Sequence, residues 1–197
     1  MFKKLAYKFA NILVNNEVIA NDDLEIYRYG FETLIYFIVN ISVALLIGII
    51  FDKFIHTIMF LSCYCTLRQF TGGYHARNYT ECTMTFAVSY ILIIMITNNI
   101  DIYRVKYLLI ILLLISMTII YKVAPLEHRN KPLSINEKMK YKKIIKKITL
   151  AIAIIVITSL MLNVISDYII YFALAMFLIV ILLLVQIMIN YLQKQSI

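Results

Sequence analysis

Six long apolar runs dominate this sequence and constrain what it can fold into. The runs cover residues 31–51, 54–67, 83–97, 107–124, 148–165 and 168–191. A helix needs about 20 apolar residues to cross the hydrocarbon core of a bilayer, so the second and third runs are short. Because 62% of the residues are hydrophobic and only 15% are charged, the composition differs from that of soluble domains. We predict an all-α, multi-pass membrane protein in which residues 1–197 form one domain with six hydrophobic helices.

The distribution of Lys and Arg residues predicts how these helices are oriented. With six crossings and a cytoplasmic N-terminus, sixteen of the nineteen Lys and Arg residues lie on the cytoplasmic side, where such residues accumulate. Residues 68–82 and the basic segment 122–147 are then cytoplasmic loops. If the second run lay on the surface instead, segment 122–147 and the basic N-terminus would face opposite sides. The net charge of +8 does not predict nucleic-acid binding, since the basic residues lie between apolar runs without a base-stacking surface.

Residues 1–20 have the pattern of a basic amphipathic helix. Their large apolar side chains recur at helical spacing, at Phe2, Leu5, Phe9, Ile12 and Leu13. The three lysines of this segment point away from that face. A helix of this kind is expected to lie at the surface of an anionic membrane. The alternative is an ordinary helix that packs against the rest of the protein.

One polar stretch, RQFTGGYHARNYTEC at residues 68–82, interrupts the apolar part of the chain. It lies between the two shortest runs, so we predict that it is drawn into the headgroup region or below it. Non-helical backbone at that depth requires surrounding protein or a water-filled cavity. Gly72 and Gly73 can adopt positive φ and turn the backbone so that His75 returns over the next helix. The stretch is therefore a predicted functional site.

The third apolar helix is predicted to begin inside this stretch, near Tyr79. Asn78 and Glu81 have the spacing of a helix cap with its capping-box partner. Cys82 then lies in the first helical turn. The helix dipole and the free backbone N–H groups of that turn favour a thiolate.

Cys82 and His75 together fit a cysteine nucleophile that a histidine base activates. Two alternatives remain open from the residues alone. The first is a zinc site that adds Cys63 and Cys65 as ligands, although these two side chains project to different faces of one helix. The second is a cysteine and a histidine that share a loop without a common function.

The stretch at 68–82, together with APLEHRNKPLSINEKMKYKK at 124–143 and EIYRYGFE at 25–32, resembles one known family. It is similar to the accessory gene regulator B (AgrB) proteins, membrane cysteine endopeptidases that process quorum-sensing propeptides in Gram-positive bacteria. The resemblance extends over nearly the whole chain. It implies a protein of the cell membrane of a Gram-positive bacterium, and the Lys and Arg distribution described above predicts that its active site faces the cytoplasm.

The resemblance also implies the chemistry. Cys82 would be the nucleophile and His75 its general base, with no metal or cofactor. The implied partner is an AgrD-like propeptide with an amphipathic leader, a central segment and an acidic C-terminal tail. Cleavage of the tail would leave an acyl-enzyme thioester. A cysteine or serine of the substrate would then close a thiolactone or lactone ring.

Two charged residues near the predicted inner ends of the first two spans are candidates for supporting roles. Arg68 is expected to bind a substrate carboxylate or to brace the loop that contains Gly72 and Gly73, or else to extend to the membrane surface. Glu32 lies inside the first apolar run, where a carboxylate usually faces protein and pairs with a cation. We predict that Glu32 pairs with Arg68. The alternative is a glutamate that reaches the cytoplasmic surface.

The basic segment 122–147 allows two interpretations. Its lysines would contact anionic lipids and set the topology, as in many membrane proteins. They would equally attract the acidic tail of a propeptide, and the candidates for this contact are Lys131, Lys138, Lys140, Lys142 and Lys143. A homodimer is a further partner prediction, from the long uncharged last run. The alternative function is a peptide transporter without proteolytic activity, but the last three runs contain few ionisable residues for a polar path.

Overall fold

The computed structural model describes residues 2–73, 79–126, 133–162, 164 and 166–195. Within these ranges the chain forms seven α-helices and one short 3-10 helix, Asn21–Asp23. The α-helices are α1 (Phe2–Asn15), α2 (Leu24–Ile50), α3 (Phe54–Thr71), α4 (Tyr79–Asn98), α5 (Ile102–Val123), α6 (Ile135–Leu162) and α7 (Ser166–Gln195). The described residues contain no β-strand beyond one isolated bridge. The predicted all-α class is therefore confirmed for these ranges.

Each predicted apolar run corresponds to one helix from α2 to α7, but the helices extend beyond the runs. The second and third, α3 and α4, are the shortest of these six, with 18 and 20 residues. At 1.5 Å per residue they are about 27 and 30 Å long. The apolar run alone suggested a shorter α3. The last turn of α3 is polar and lies outside that run, but it continues the helix through Thr71.

Five of the described helices are long and apolar enough to cross a membrane. The candidate spans are Asn21–Ile50, Thr80–Asn98, Arg104–Val123, Ile135–Leu162 and Asp167–Leu192. Helix α3 is not among them, because its 18 residues include polar side chains such as His56, Ser62 and Arg68. A multi-pass membrane protein follows from these five helices. The sixth crossing, and the orientation that depends on it, stays a prediction.

Helix α1 packs against the first half of α2. Ala6 and Ala10 of α1 are completely buried. At the two ends of this contact, the rings of Phe2 and Tyr36 lie 5.3 Å apart and those of Phe9 and Phe31 lie 5.7 Å apart. The order of these pairs shows that the two helices are antiparallel. The small alanines thus mark a protein-facing side of α1 that the pattern of large apolar residues alone did not indicate.

Helix α7 occupies the centre of the helical arrangement. It packs against α3, α5 and α6. Its buried side chains form an almost continuous apolar surface, comprising Ile170, Tyr171, Ala173, Ala175, Met176, Leu178, Ile179, Val180, Leu182 and Leu183. A helix that is apolar on most of its faces is buried in this way because it has no polar side to expose.

Helices α3 and α4 meet through large side chains along one stripe. The Tyr90 hydroxyl donates a hydrogen bond of 2.6 Å to Thr57 Oγ1 at one end. The Phe60 ring lies 4.7 Å from the Tyr90 ring, and the Tyr64 ring lies 5.2 Å from the Phe86 ring. Residues four apart share one face of a helix, so the stripe continues toward the end of α3 and the start of α4. This antiparallel packing positions the candidate site.

Candidate active site

The connection between α3 and α4 is shorter than the predicted loop at 68–82. Helix α3 includes Arg68 and ends at Thr71, whereas α4 already begins at Tyr79. The predicted helix start near Tyr79 is thus confirmed, while much of the predicted loop belongs to the ends of these helices. His75 and the predicted cap residue Asn78 lie outside the described residues. Gly72 and Gly73 are the described residues of the connection.

Both glycines have a backbone conformation that other residues rarely adopt. Their φ angles are +67° at Gly72 and +117° at Gly73, as the sequence predicts for a sharp turn. A Cβ atom at Gly72 would meet the Leu126 backbone, whereas one at Gly73 would meet the end of the Arg68 side chain. The turn therefore depends on glycine for its dihedral angles at both positions and for close packing at Gly72.

Cys82 lies in the first turn of α4 and is half-buried. It lines a narrow cavity of about 20 Å³, which is room for roughly one water molecule. Three helices contribute the walls of this cavity, through Tyr64, Arg68, Thr85, Phe86, Ser89, Leu178 and Leu182. The thiol is thus held at the end of the α3–α4 stripe that is nearest the glycine turn, in surroundings that are largely apolar.

Arg68 connects the cavity with the glycine turn. Its Nη1 atom donates a hydrogen bond to the Gly72 carbonyl oxygen. Tyr64, one turn earlier in α3, lines the same cavity. The contact with Gly72 is of the kind expected for the bracing role, which was one of the alternatives for Arg68 in the sequence. The side chain also borders the same cavity as Cys82, so its charge lies beside the thiol.

Opposing electrostatic effects act on Cys82. Partial burial in an apolar cavity disfavours an ionised thiol, because the charge loses its hydration. The Arg68 cation, which borders the same cavity, and the dipole at the start of α4 favour the ionised form. A negatively charged nucleophile at this position therefore depends on these two partners, or on a base that removes the proton during the reaction.

Glu32 is buried in α2, with 8% of its surface exposed. The predicted pairing with Arg68 is not formed, since the ion pairs among the described residues do not include one between these two. Arg68 turns instead toward the carbonyl four residues ahead of it. Within the described ranges, Glu32 Oε1 has no hydrogen-bond partner. The alternative of a glutamate that reaches the surface does not fit this burial either.

The basic segment 122–147 is not a loop over most of its described length. Helix α6 begins at Ile135, well before the apolar run that starts at residue 148. Ser134 and Glu137 form a capping box: Ser134 N–H donates to Glu137 Oε2 at 2.9 Å, and Glu137 N–H donates to Ser134 Oγ at 3.3 Å. This Ser-x-x-Glu signal is visible in the sequence and predicts the true start of α6.

Four of the five candidate lysines therefore lie on the first turns of α6, whereas Lys131 lies outside the described residues. Lys140, Lys142 and Lys143 are exposed, and Lys138 is half-buried. Tyr141, in the same turns, packs edge-on against Phe70 of α3 with ring centroids 5.5 Å apart. This contact places the basic start of α6 beside the end of α3, two residues before the glycine turn.

The other two cysteines have different environments. Cys63 is buried, and its thiol donates a hydrogen bond of 3.6 Å to the Phe172 carbonyl oxygen of α7. Cys65 is half-buried on α3. Within the described ranges, no group of three His, Cys, Asp or Glu residues is close enough to hold a metal ion. The zinc alternative also needs His75, which lies outside these ranges.

Sequence reasoning missed the residues that complete the cavity wall around Cys82. Tyr64, Thr85 and Ser89 are polar, and Leu178 and Leu182 come from the distant helix α7. A signal exists for Tyr64, which precedes Arg68 by one helical turn and so shares its face. The contribution of α7 has no such signal, because an apolar helix does not reveal which side chains face a particular cavity.

The family model for Accessory gene regulator B matches residues 6–193 of this chain. The match includes both halves of the candidate site, the α3 end with Arg68 and the α4 start with Cys82. The chain belongs to the AgrB family. The resemblance seen in the sequence is thereby confirmed.

Individual relatives match a shorter portion of the chain. A protein described as AgrB-like from Clostridium perfringens strain 13 is 26% identical over 128 residues, which is 62% of this chain and 60% of that protein. A second AgrB-like protein, from Clostridium perfringens strain SM101, is 24% identical over the same lengths. These alignments therefore span less than two thirds of the relatives. No solved structure matches this AgrB protein.

The Tyr64 hydroxyl is expected to influence the reactivity of Cys82, because Tyr64, Arg68 and Cys82 line one cavity. Tyr64→Phe removes the hydroxyl but keeps the ring that packs on Phe86. A less polar wall stabilises an ionised thiol less, so alkylation of Cys82 near neutral pH should slow by threefold to tenfold, equivalent to about 0.7–1.4 kcal/mol. The measurement is mass spectrometry of alkylated Cys82 over time in membrane vesicles.

Tyr90→Phe is the matched control for this experiment. Tyr90 belongs to the same α3–α4 interface, but its hydroxyl contacts Thr57 at the end away from Cys82. Alkylation of Cys82 should stay within about twofold of wild type. Equal slowing in both variants would show that a general loosening of the interface, rather than the Tyr64 hydroxyl, controls the thiol.

Proposed function

We propose that this AgrB protein is a membrane cysteine endopeptidase that cleaves an AgrD-like propeptide and cyclises the product. The observation that carries the proposal is the placement of Cys82 in the first turn of α4, inside a narrow cavity that it shares with Arg68. Family membership supports a role in processing quorum-sensing propeptides. Cys82 is the proposed nucleophile, and His75, outside the described residues, is the proposed general base.

The proposed reaction has two acyl-transfer steps. His75 removes the Cys82 proton, and the thiolate attacks the carbonyl carbon of the peptide bond before the C-terminal tail. The tetrahedral intermediate collapses as His75 protonates the leaving amine, which leaves a thioester on Cys82 and a free tail. A cysteine thiol or serine hydroxyl of the substrate then attacks the thioester. Cys82 leaves as a thiol, and the product is a thiolactone or lactone.

The cavity favours cyclisation over hydrolysis in this scheme. Its volume of about 20 Å³ accommodates roughly one water molecule, and Phe86, Leu178 and Leu182 supply apolar walls. A bound peptide would displace that water. Exclusion of water protects the thioester until the nucleophile within the substrate reaches it.

The residues around the glycine turn have proposed supporting roles. The Arg68 guanidinium can stabilise negative charge that develops on the substrate carbonyl oxygen, because it borders the cavity that contains Cys82. Gly72 and Gly73 give the turn a close-packed shape that the substrate would meet. Glu32 has no contact with this turn among the described hydrogen bonds and ion pairs, so we propose only that it supports the fold of α2.

The first turns of α6 are the proposed capture surface for the acidic tail. Lys138, Lys140, Lys142 and Lys143 lie on this helix, next to the α3 end through the contact between Tyr141 and Phe70. Lys131 precedes them in the sequence and is proposed to contribute. Lysines at this position would also contact anionic lipids, which would concentrate an amphipathic propeptide on the same leaflet.

We further propose that the protein lies in the cell membrane with the Cys82 end of the helices in the cytoplasm. The excess of basic residues on this side supports the orientation, provided that α3 also crosses the membrane. A homodimer is compatible with the exposed apolar side chains of α7, for example Met188 and Leu192, but lipid would cover them equally well.

Replacement of the catalytic pair is expected to abolish processing. Cys82→Ala and His75→Ala should each reduce tail cleavage by more than a hundredfold, because the nucleophile or its base is lost. The assay is coexpression with the propeptide and mass spectrometry of the released tail. Cys63→Ala and Cys65→Ala are matched controls and should retain cleavage. Tail release by Cys82→Ala at the wild-type rate would eliminate the nucleophile assignment.

The proposed orientation is testable with single cysteines in a variant that lacks the native three. A cysteine at Asn78 should resist an impermeant maleimide in intact cells and react after lysis, because the proposed side is cytoplasmic. A cysteine at Lys53, in the turn between α2 and α3, should react in intact cells. Labelling of the Asn78 site from outside would contradict the orientation.

Neutralisation of the α6 lysines is expected to weaken substrate capture. Replacing Lys138, Lys140, Lys142 and Lys143 together by Gln should raise KM for the propeptide about tenfold and reduce its dependence on salt, with kcat nearly unchanged. The control removes the three lysines of α1 instead. An equal rise of KM in both variants would indicate general attraction to the membrane surface rather than capture by α6.

A further inference from the structure

The turn that follows α3 is joined to the segment that follows α5. The Leu126 backbone N–H donates a hydrogen bond of 2.9 Å to the Thr71 carbonyl oxygen. Gly72 and Leu126 also form an isolated parallel bridge. Thr71 is completely buried, and the Leu126 side chain packs against the apolar core. Two connections that are distant in the sequence are therefore fixed to each other through their backbones.

The contact leaves no space for a side chain at Gly72. A Cβ atom at Gly72 would lie only 2.3 Å from the Leu126 carbonyl oxygen. That neighbour is a backbone atom, which cannot rotate away as the end of a side chain can. The close approach and the positive φ of +67° both restrict this position to glycine.

We propose that Leu126 is a positioning residue for the cleavage reaction, acting through its backbone N–H; this inference rests on the proposed function. The hydrogen bond to Thr71 fixes the point at which the chain leaves α3. His75 follows Gly73 by two residues in the sequence, so the origin of its connection is set by this pairing and by the Arg68 contact with Gly72. Leu126 thus fixes the glycine turn from which the chain continues toward His75.

The paired turn also lies near the proposed capture surface. Tyr141, on the α6 turns that carry the lysines proposed to bind the acidic tail, packs on Phe70, two residues before Gly72. A tail held by those lysines is therefore held relative to the glycine turn, not only relative to the membrane. Reacting groups that are held in a fixed position relative to each other react faster than groups that move independently.

The test separates the loss of the backbone hydrogen bond from the loss of the Leu126 side chain. Leu126→Pro lacks the backbone N–H, whereas Leu126→Ala retains it and shortens only the side chain. In proteoliposomes with the propeptide, Leu126→Pro should lower kcat at least tenfold and change KM less than threefold. Leu126→Ala should retain kcat within about threefold of wild type, provided that the protein amount in the membrane is matched.

A second measurement does not depend on turnover. The alkylation rate of Cys82 is followed against pH in wild type, His75→Ala, Leu126→Pro and the double variant. If Leu126 aligns His75 with Cys82, Leu126→Pro should change the profile in the same direction as His75→Ala. The double variant should then show no further change, because the two substitutions break the same interaction.

Gly72→Ala offers an independent approach to the same contact. It should reproduce the kcat loss of Leu126→Pro, because its Cβ would push the Leu126 carbonyl away. Gly30→Ala is the matched control, since a Cβ there meets no atom within 4 Å, and it should cleave at the wild-type rate.

Two outcomes would overturn the role of Leu126. One is cleavage by Leu126→Pro within threefold of Leu126→Ala. The other is a loss of cleavage with a wild-type alkylation profile at Cys82, which would mean that the pairing does not align the catalytic residues. Failure of the proposed function itself gives a different result, namely tail release by Cys82→Ala.

Discussion

The absence of water from the hydrocarbon region constrains this fold more than any single contact. Every backbone group at that depth needs a partner within the protein, so a break between two helices is tolerated only where other elements supply one. The predicted depth of the break after Thr71 would impose this requirement, and the described residues of the break meet it. Leu126 N–H satisfies the Thr71 carbonyl, and the Arg68 guanidinium satisfies the Gly72 carbonyl. The candidate site therefore forms where the end of α3, the glycine turn and the segment after α5 meet at one break between helices.

The meeting of these segments also explains why the Cys82 thiol and the Arg68 cation line the same small cavity. The α3–α4 stripe keeps the two helices antiparallel through aromatic side chains, so the last turn of α3 faces the first turn of α4. Arg68 is half-buried there, and a partly desolvated cation needs polar partners. Its hydrogen bond to the Gly72 carbonyl supplies one and leaves its charge beside Cys82.

Sequence patterns predicted the helices and the position of Cys82 because those features follow from local signals. The start of α6 has a local signal too, the Ser134 and Glu137 pair, and apolar runs alone placed the start too late. The pairing of Thr71 with Leu126 has no such signal, because a backbone hydrogen bond between distant residues leaves no side-chain pattern. The predicted ion pair between Glu32 and Arg68 was wrong for a related reason. Charge alone does not reveal that Arg68 donates its hydrogen bond to the Gly72 carbonyl, one turn ahead in the chain.

The dimensions of the cavity bear on the choice between cyclisation and hydrolysis. The cavity of about 20 Å³ accommodates roughly one water molecule. Water is therefore excluded only when a peptide is bound, because the free cavity is large enough to admit it. A nucleophile within the same peptide has a further advantage, because effective molarities of well-oriented intramolecular reactions reach about 10⁵ M or more. That advantage exists only if the acyl group stays oriented on Cys82. Rigid placement of the turn by Leu126 and Arg68 would therefore contribute to ring closure as well as to cleavage.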